Sequence, residues 1–342
     1  MRIAIDAMGG DFAPLETVLG AIAAVKENAQ IEVVLVGDEV QIKDILKDSG
    51  ELDNPRISVH HASQVIGMDE HPGQALRKKK DASVVVATRL VHDKDCDVVV
   101  APGSTGAAVA AALFGLGRIK GIDRPVIATP MPTVKGITVM LDSGANANSK
   151  PKHLVQGAIM GVEYAKLLLN KENPTVGLLN IGEEATKGNE VVLAAHPVLK
   201  GLKSINFFGN VEGRDIPKGT VDVVVCDGFV GNVILKFAEG LVVGLSAMIK
   251  EAIMNGGFLA KLGALLVKPA LKTIAKKVDH TENGGAPLLG VNGVFMIAHG
   301  SSKSKEIKTA ITIGNDLAER KIIQHIADVI EEEGAQKYEY DE

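Results

Sequence analysis

The sequence predicts an α/β fold with three layers, α/β/α, around a mostly parallel sheet. Short β-branched runs recur along the 342 residues, and segments with the apolar period of a helix separate most of them. This alternation is typical of repeated βαβ units. Two runs, at 97–100 and 222–225, read Asp-Val-Val-Val without polar alternation. Strands that are buried on both faces of a parallel sheet have such sequences.

Seven strands and five helices follow from these patterns. The strands are short runs rich in Val, Ile and Leu, at residues 2–5, 31–36, 97–100, 138–141, 176–179, 204–208 and 222–225. The helices have apolar residues at helical spacing, at residues 14–28, 41–47, 107–116, 151–169 and 231–255. Pro151 stands at the first turn of the fourth helix, where its missing N–H breaks no hydrogen bond.

The chain has no low-complexity linker that would divide it into independent units. A single α/β domain is therefore expected over residues 1–330, with an amphipathic helical insertion at about 252–278. Residues 331–342 are rich in carboxylates and are expected to form a disordered acidic tail.

The composition is that of a globular protein that does not bind nucleic acid. Apolar residues make up 46% of the chain, whereas aromatic residues make up 3% and tryptophan is absent. Few rings are available for stacking on bases, and a net charge of −5 does not favour a polyanion. The first residues already resemble a strand, so no signal peptide and a cytoplasmic location are expected. No apolar stretch is expected to reach the roughly 18 to 20 residues of a membrane span.

The two cysteines, Cys96 and Cys226, each stand beside one of the two Asp-Val-Val-Val runs. Two cysteines cannot build a disulfide framework, and neither belongs to a metal-ligand spacing. Cys226 follows the second run directly and could be a nucleophile, but a small buried residue is the more frequent role for such a cysteine.

Both Asp-Val-Val-Val runs lead into the same glycine spacing, in DVVVAPGSTGA and DVVVCDGFVGN. Ligands bind at the carboxyl ends of parallel strands, where a glycine turn before a helix lets N–H groups approach an anion. Polar residues also follow three other strands, in IAIDAMGGD, TVMLDSGANAN and VGLLNIGEEATKGN. The sequence therefore predicts a polar ligand such as phosphate at this edge, although glycine can also serve turn geometry alone.

The motifs of common cofactors and metals do not occur in these turns. The dinucleotide pattern GxGxxG and the nucleotide loop GxxxxGK[ST] are absent, and residues 102–106 lack the GxSxG spacing of a hydrolase elbow. The nine histidines are scattered, without metal-ligand spacing. The sequence thus predicts an anion site that needs no cofactor and no metal.

Two stretches carry concentrated positive charge. Residues 252–278 contain no acidic residue. On a helix, four lysines fall on one face, Lys261, Lys268, Lys272 and Lys276, and Pro269 is expected to interrupt the helix. Lysines beside an apolar face suit an anionic membrane surface, but a helical hairpin in a dimer interface fits equally well. The basic run at 77–80 is either a solvated surface or a dock for an acidic partner.

Several strings together make the chain similar to a known family. They are IAIDAMGGD, GSTGA, LDSGANAN, KPKHLVQGAIMG, LLNIGEEATKGNE, FFGNVEGRDI, DVVVCDGFVGNVILKFAEG and AHGSS. In this order, and over nearly the whole chain, they resemble the bacterial acyl-carrier-protein:phosphate acyltransferases of phospholipid synthesis, the PlsX family. Where those proteins commonly read AGNTGA, this chain has Ser104 in place of the amide residue. The resemblance therefore implies no role for an amide side chain at position 104. It still implies that the backbone amides of this turn contact the anion.

The resemblance implies transfer of a long-chain fatty acyl group from acyl carrier protein to inorganic phosphate. The acyl phosphate would then serve a glycerol-3-phosphate acyltransferase at the membrane. The resemblance also implies a homodimer, with a fold similar to the phosphotransacetylases and the isocitrate dehydrogenase group. The protein would be cytoplasmic and peripherally associated with the membrane.

The predicted site combines the two glycine turns with polar groups from other strand ends. The phosphate-binding residues are Gly103, Ser104, Thr105 and Gly106 in the first turn, and Asp227 and Gly228 in the second. The candidate catalytic residues are Lys187, Asn232 and His299. Lys187 and Asn232 would stabilise developing negative charge, and His299 would carry a proton. The expected rim residues are Asp6, Asp142, Asn146 and Asn180.

Each assignment has a simpler alternative. Lys187 could be a solvated loop residue, Asn232 a helix N-cap, Asp227 a turn former and His299 a structural hydrogen-bonding residue. Two other functions share the anion site, namely a phosphotransacetylase that uses short acyl-CoA and a non-enzymatic membrane scaffold for the carrier protein. The acid-free segment at 252–278 gives the phosphotransacetylase no support.

Overall fold

The computed structural model describes residues 1–278 and 284–334, which contain twelve strands and eleven α-helices. The strands are β1 (Arg2–Asp6), β2 (Glu32–Gly37), β3 (Ile57–His61), β4 (Val98–Ala101), β5 (Val126–Ile127), β6 (Thr129–Thr133), β7 (Gly136–Leu141), β8 (Thr175–Leu179), β9 (Asn206–Val211), β10 (Val223–Val225), β11 (Ala286–Leu289) and β12 (Val294–Ile297). The helices are α1 (Leu15–Glu27), α2 (Glu39–Asp48), α3 (Pro72–Lys78), α4 (Ser83–His92), α5 (Thr105–Gly115), α6 (Pro151–Leu169), α7 (Glu190–Gly201), α8 (Gly228–Asn255), α9 (Gly257–Val278), α10 (Ser304–Glu319) and α11 (Ile322–Gly334).

The strands form two mostly parallel sheets rather than one. The first sheet has the order β3-β2-β1-β4-β12-β11-β5, and β11 runs antiparallel to both of its neighbours. The second sheet has the order β6-β7-β10-β8-β9, and β6 is antiparallel to β7. The predicted α/β class is confirmed, and all seven predicted strands are present within three residues of their predicted ends.

The first sheet lies between two layers of helices because alternate residues of its strands face opposite sides. Ile3 and Ile5 of β1 belong to the apolar cluster that includes α1 and α10. Ala4 belongs to the cluster that includes α4 and α5. The two Asp-Val-Val-Val runs become β4 and β10, which are buried throughout and lie inside their sheets with a partner on each side. Their carboxyl ends, and the turns that follow, are thus held by a buried sheet.

Helices α8 and α9 form an exposed hairpin that contains the segment predicted at 252–278. The break between them lies at Gly256 and Gly257, where Gly257 has a φ of +73°. The expectation that Pro269 interrupts the helix is wrong, because α9 continues through it. Proline removes one backbone hydrogen bond, and on an exposed helix water can satisfy the freed carbonyl.

Helix α8 has 28 residues and a mean hydropathy of 1.6 over its most apolar window, none of which is buried. By length and composition it could cross a membrane, so the expectation that no apolar stretch reaches that length is wrong. Its exposed apolar side chains include Phe237, Val243 and Met248.

Two of the differences from the predicted ends affect the site or the tail. Helix α8 begins at Gly228, three residues before its predicted start, because Asp227 caps it. Helix α11 continues to Gly334, so residues 331–334 of the predicted acidic tail are helical. The remainder of that tail, 335–342, lies outside the described residues.

Candidate functional site

The first glycine turn leaves a helix N-terminus without a side-chain cap. Ser104 stands at the N-cap of α5 with extended backbone, but its hydroxyl accepts no hydrogen bond from the first turn. No acidic residue occupies that turn, and Thr105 and Gly106 are exposed. The first N–H groups of a helix have no partner within it, and the helix dipole adds positive potential there. This end of α5 is therefore open to an anion.

Asp6, at the carboxyl end of β1, lies directly beneath this turn. Its carboxylate accepts hydrogen bonds from the Met8 N–H, at 3.2 Å, and from the Ser83 side chain. Burial raises its pKa to about 6 against the effect of these donors. A Cβ on Gly9 would come within 2.7 Å of the Asp6 Oδ2 and 3.1 Å of the Gly103 N. The loop after β1 thus packs tightly against the first turn.

The second glycine turn differs because its helix is capped. The Asp227 carboxylate accepts the Val230 N–H at 3.0 Å, which satisfies one of the free donors of α8. Cys226, the residue before it, is buried, and burial raises the pKa of its thiol far above the usual value. The expectation that Cys226 is a small buried residue is confirmed, and a thiol in this state is a poor nucleophile.

Asp142, at the end of β7, organises the loop beside the second turn. Its carboxylate accepts five hydrogen bonds, from the backbone N–H groups of Ile127, Gly144, Ala145 and Asn146 and from the Asn146 side chain. Burial raises the pKa of the Asp142 carboxyl, and these donors oppose that rise.

The same loop leaves no room for side chains at two glycines of the second turn. A Cβ on Gly228 would lie 2.6 Å from the Asp142 Oδ2, and one on Gly231 would overlap the Asp142 carbonyl oxygen. Glycine is therefore required at both positions for packing.

Asn232 is the fifth residue of α8 and not its N-cap, which corrects the expectation that it starts the helix. Its side chain is exposed and lies about 3.5 Å from the position that a Cβ of Gly144 would occupy. Asn232 thus faces the loop after β7, with its amide free to donate to a ligand.

Lys187 lies in a third loop, between β8 and α7. The Asn180 amide donates to the Lys187 carbonyl at 2.8 Å, and the Lys187 N–H donates to the Glu184 carbonyl at 3.1 Å. The Lys187 side chain is exposed. This loop leads into Asn189 and α7, which line a cleft of about 510 Å³ together with Ala147, Asn148, Asp227 and Phe229. The loop that carries Lys187 therefore borders the second turn.

His299 follows β12 and contacts the helix of the other sheet. Its Nε2 lies 3.1 Å from the Lys236 Nζ of α8, and its Nδ1 lies 2.8 Å from the Ser301 Oγ. The next residue, Gly300, accepts the Asp11 N–H at 2.7 Å. Sequence reasoning missed Lys236. Its spacing of four residues from Asn232 places it on the same side of α8, which is the one signal that could have found it.

Three carboxylates near the Lys187 loop have the spacing of a cation site. Single oxygens of Glu183, Glu212 and Asp215 lie within 4.8 Å of one another. Arg214 forms an ion pair with Glu212, and Lys218 contacts Asp215 at 3.1 Å. The side chains of this chain therefore already neutralise much of the group.

The predicted residues thus fall into three groups. The first turn, Gly103 to Gly106, lies with Asp6, and Asp227, Gly228 and Asn232 lie with Asp142 and Asn146. Asn180 and Lys187 share the third loop, while His299 connects the edge of the first sheet to α8. Their chemical roles stay predictions.

Comparison with known proteins identifies close relatives. The model of the fatty acid synthesis protein family, FA_synthesis, matches residues 1–325. A phosphate acyltransferase from Desulfitobacterium hafniense is 55% identical over 327 residues, which cover 95% of this chain and 96% of the relative. One from Heliobacterium modesticaldum is 53% identical over 330 residues, with 96% and 98% covered.

Solved structures with the same fold include two phosphotransacetylases. The enzyme from Streptococcus pyogenes has a TM-score of 0.61 at 15% identity and covers 93% of this chain and 94% of its own. The enzyme from Staphylococcus aureus has a TM-score of 0.59 at 17% identity with the same shares covered. The expected similarity to the phosphotransacetylase fold is confirmed.

Proposed function

The chain belongs to the FA_synthesis family and is an acyltransferase with phosphate as acceptor, and we propose that its donor is a long-chain acyl group on acyl carrier protein. The product would be an acyl phosphate for phospholipid synthesis. The observation that carries the phosphate acceptor is the uncapped N-terminus of α5, which is open to an anion at the carboxyl end of a buried strand.

Phosphate itself supplies the nucleophile, so the enzyme positions the reactants and stabilises charge. A phosphate oxygen attacks the thioester carbonyl, and the carbonyl oxygen becomes an oxyanion. The carbonyl then reforms, and the C–S bond breaks while the new C–O bond to phosphate remains. The carrier leaves as a thiolate. A thiol pKa of about 8.5 makes a strong general acid unnecessary.

Lys187 and Asn232 are proposed to stabilise this oxyanion or the charge of the phosphate. The cleft beside the second turn is bordered by the Lys187 loop, and Asn232 presents an exposed amide one turn into α8. Both side chains can therefore reach a ligand without displacing packed core groups.

Replacement of these two residues tests the mechanism. Lys187→Ala and Asn232→Ala should each lower acyl phosphate formation by about 100-fold with the fold unchanged, as expected for loss of one oxyanion donor. Lys135→Ala, in the exposed turn between β6 and β7, is the matched control and should keep full activity. Unchanged turnover in both site variants would refute the assigned roles.

A basic surface beside the first turn supports a protein as acyl donor. Arg77, Lys78 and Lys80 at the end of α3 are exposed, and none pairs with a carboxylate in the described part of the chain. Helix α3 begins at Pro72, whose Cγ would lie 2.8 Å from a Cβ on Gly106. An acidic carrier bound to α3 would thus stand next to the proposed phosphate site.

Donor comparison tests this assignment against the phosphotransacetylase alternative. With acyl chains of one length, reversal of Arg77, Lys78 and Lys80 to Glu should raise the KM for acyl carrier protein about 10-fold and leave that for acyl-CoA unchanged. Equal use of acetyl-CoA and of long-chain acyl carrier protein by the wild type would favour the alternative.

The hairpin of α8 and α9 is proposed to contact the surface of the membrane, the partner of a homodimer, or both. Its exposed apolar side chains and its lysines support either occupant. Peripheral attachment of a cytoplasmic enzyme would deliver acyl phosphate to a glycerol-3-phosphate acyltransferase. In sedimentation with anionic liposomes, reversal of Lys261, Lys268 and Lys272 to Glu should abolish binding, and retained binding would refute electrostatic attachment.

A further inference from the structure

Lys236 makes a contact that joins the two halves of the site. It lies on α8, one helical turn after Asn232, with its side chain about half exposed at 48%. Its Nζ lies 3.1 Å from the His299 Nε2 and 2.8 Å from the Glu239 Oε2. Glu239, on the same helix, therefore holds the ammonium toward His299.

The loop that carries His299 is fastened to the segment that supports the first turn. The Gly300 carbonyl accepts the Asp11 N–H at 2.7 Å. A Cβ on Gly10 would lie 2.8 Å from the Pro102 carbonyl oxygen and 2.9 Å from that of Gly300. These close approaches link His299 to the residue just before Gly103. Through Lys236, the helix that starts at the second turn is tied to the first turn.

The chemistry of the contact assigns a tautomer to His299. An ammonium group can only donate, so the Nε2 of a neutral imidazole must accept from Lys236. The proton then lies on Nδ1, which donates to the Ser301 Oγ at 2.8 Å. The Ser301 backbone N–H donates toward the same Nδ1 at 3.2 Å and by itself would favour the opposite tautomer. The hydrogen bond from the Lys236 ammonium is charge-assisted and therefore outweighs this longer, neutral contact.

We propose that Lys236 is a positioning residue for acyl transfer. It holds His299 as the Nδ1–H tautomer. It also keeps Asn232 of α8 at a fixed distance from the N-terminus of α5, where the phosphate is proposed to bind. A misplacement of about 1 Å between reacting groups can lower a rate about 100-fold, so a contact that sets this spacing affects turnover without touching the reacting atoms. The proposal rests on the function proposed above.

The first measurement uses the protein without substrate. In ¹⁵N-histidine-labelled protein, with the signals of His299 identified by their loss in His299→Gln, we expect the Nδ1–H tautomer. Lys236→Met should shift the population toward Nε2–H, whereas Lys250→Met, on an exposed part of the same helix, should not. An Nε2–H tautomer in the wild type, or spectra that do not respond to Lys236→Met, would overturn the proposal.

The second measurement is acyl phosphate formation under saturating donor. Lys236→Met should lower kcat about 10- to 100-fold, Lys236→Arg should recover most of it, and the control Lys135→Ala should match the wild type. Wild-type kcat in Lys236→Met would refute the positioning role. If the wild type made no acyl phosphate but His299 were the expected Nδ1–H tautomer, the proposed function would be refuted. The hydrogen bond between Lys236 and His299 would still be supported.

Discussion

The turn before α5 and the turn before α8 follow the same Asp-Val-Val-Val strand and the same glycine spacing, yet their helix N-termini differ in charge. The α5 end is uncapped, with the neutral Ser104 at the N-cap. The α8 end is closed by the Asp227 carboxylate, and the Asp142 carboxylate lies against Gly228. A phosphate dianion could use the free N–H groups of α5, whereas at α8 it would meet the Asp227 carboxylate, which already accepts one of them.

The comparison shows what a repeated motif encodes. The strand and the glycines determine where the chain turns and how closely another backbone can approach. The residue at the N-cap decides whether the free N–H groups serve the helix or a ligand. We therefore propose that the phosphate binds at the first turn, rather than at Asp227 and Gly228 of the second, and that the donors acting on the thioester lie near the second turn.

The largest expected difference concerns glycines. Gly231→Ala should lower the free energy of unfolding by about 4 kcal/mol, because its Cβ overlaps the Asp142 carbonyl oxygen. Gly103→Ala in the first turn should cost less than about 1 kcal/mol, since the added Cβ would lie 3.6 Å from its nearest neighbour, the Gly9 Cα, which is ordinary van der Waals contact. Urea denaturation measures both. Equal losses would show that the two turns are packed alike.

A second difference concerns the carboxyl beneath the first turn. Because the pKa of Asp6 is raised from 3.8 to about 6, its contribution to stability is present below pH 3.8 and is lost as the pH rises through 6. The wild type should therefore lose about 2 kcal/mol relative to Asp6→Asn between pH 4 and pH 7.

Urea denaturation of the wild type and of Asp6→Asn at a series of pH values measures this difference in stability. Ser83→Ala, which removes a donor to the Asp6 carboxylate, should enlarge it. Parallel pH profiles for the wild type and Asp6→Asn would show that the Asp6 carboxyl titrates alike in the folded and unfolded chains.

The smallest expected difference is that between the caps. Asp227→Ala should destabilise the protein by about 1 kcal/mol, because it removes the hydrogen bond to the Val230 N–H. Ser104→Ala should leave stability within about 0.3 kcal/mol, as the Ser104 hydroxyl makes no cap bond. Thermal denaturation distinguishes them, and a loss on Ser104→Ala as large as that on Asp227→Ala would mean that both helices are capped.

Unbroken runs of valine are the pattern that predicts strands most directly. Strands β4 and β10 are buried on both faces, so their valine runs identify them directly. Five strands, β3, β5, β6, β11 and β12, escape prediction. Strand β5 has only two residues, and β6 and β11 contain proline. The sequence pattern predicts that α8 starts at Gly231, whereas the Asp227 cap extends the helix to Gly228.

The parts of the site that escaped prediction depend on distant pairs. Lys236 and His299 are 63 positions apart, and only the meeting of α8 with the loop after β12 brings them together. The five donors around Asp142 likewise come from a loop and from β5, which no local pattern could group. The sequence predicts which residue types follow the strands, but only the folded structure shows how those residues lie relative to one another.

The central claim is that the uncapped N-terminus of α5 binds phosphate. It is tested most directly by titrating inorganic phosphate, without acyl donor, into Ser104→Asp and Ser104→Asn and following ³¹P NMR. Both substitutions supply a cap, but only aspartate adds the charge found at the second turn. We predict at least about 10-fold weaker phosphate binding for Ser104→Asp than for Ser104→Asn, from like-charge repulsion at close range. Equal affinity in the two variants would contradict the account.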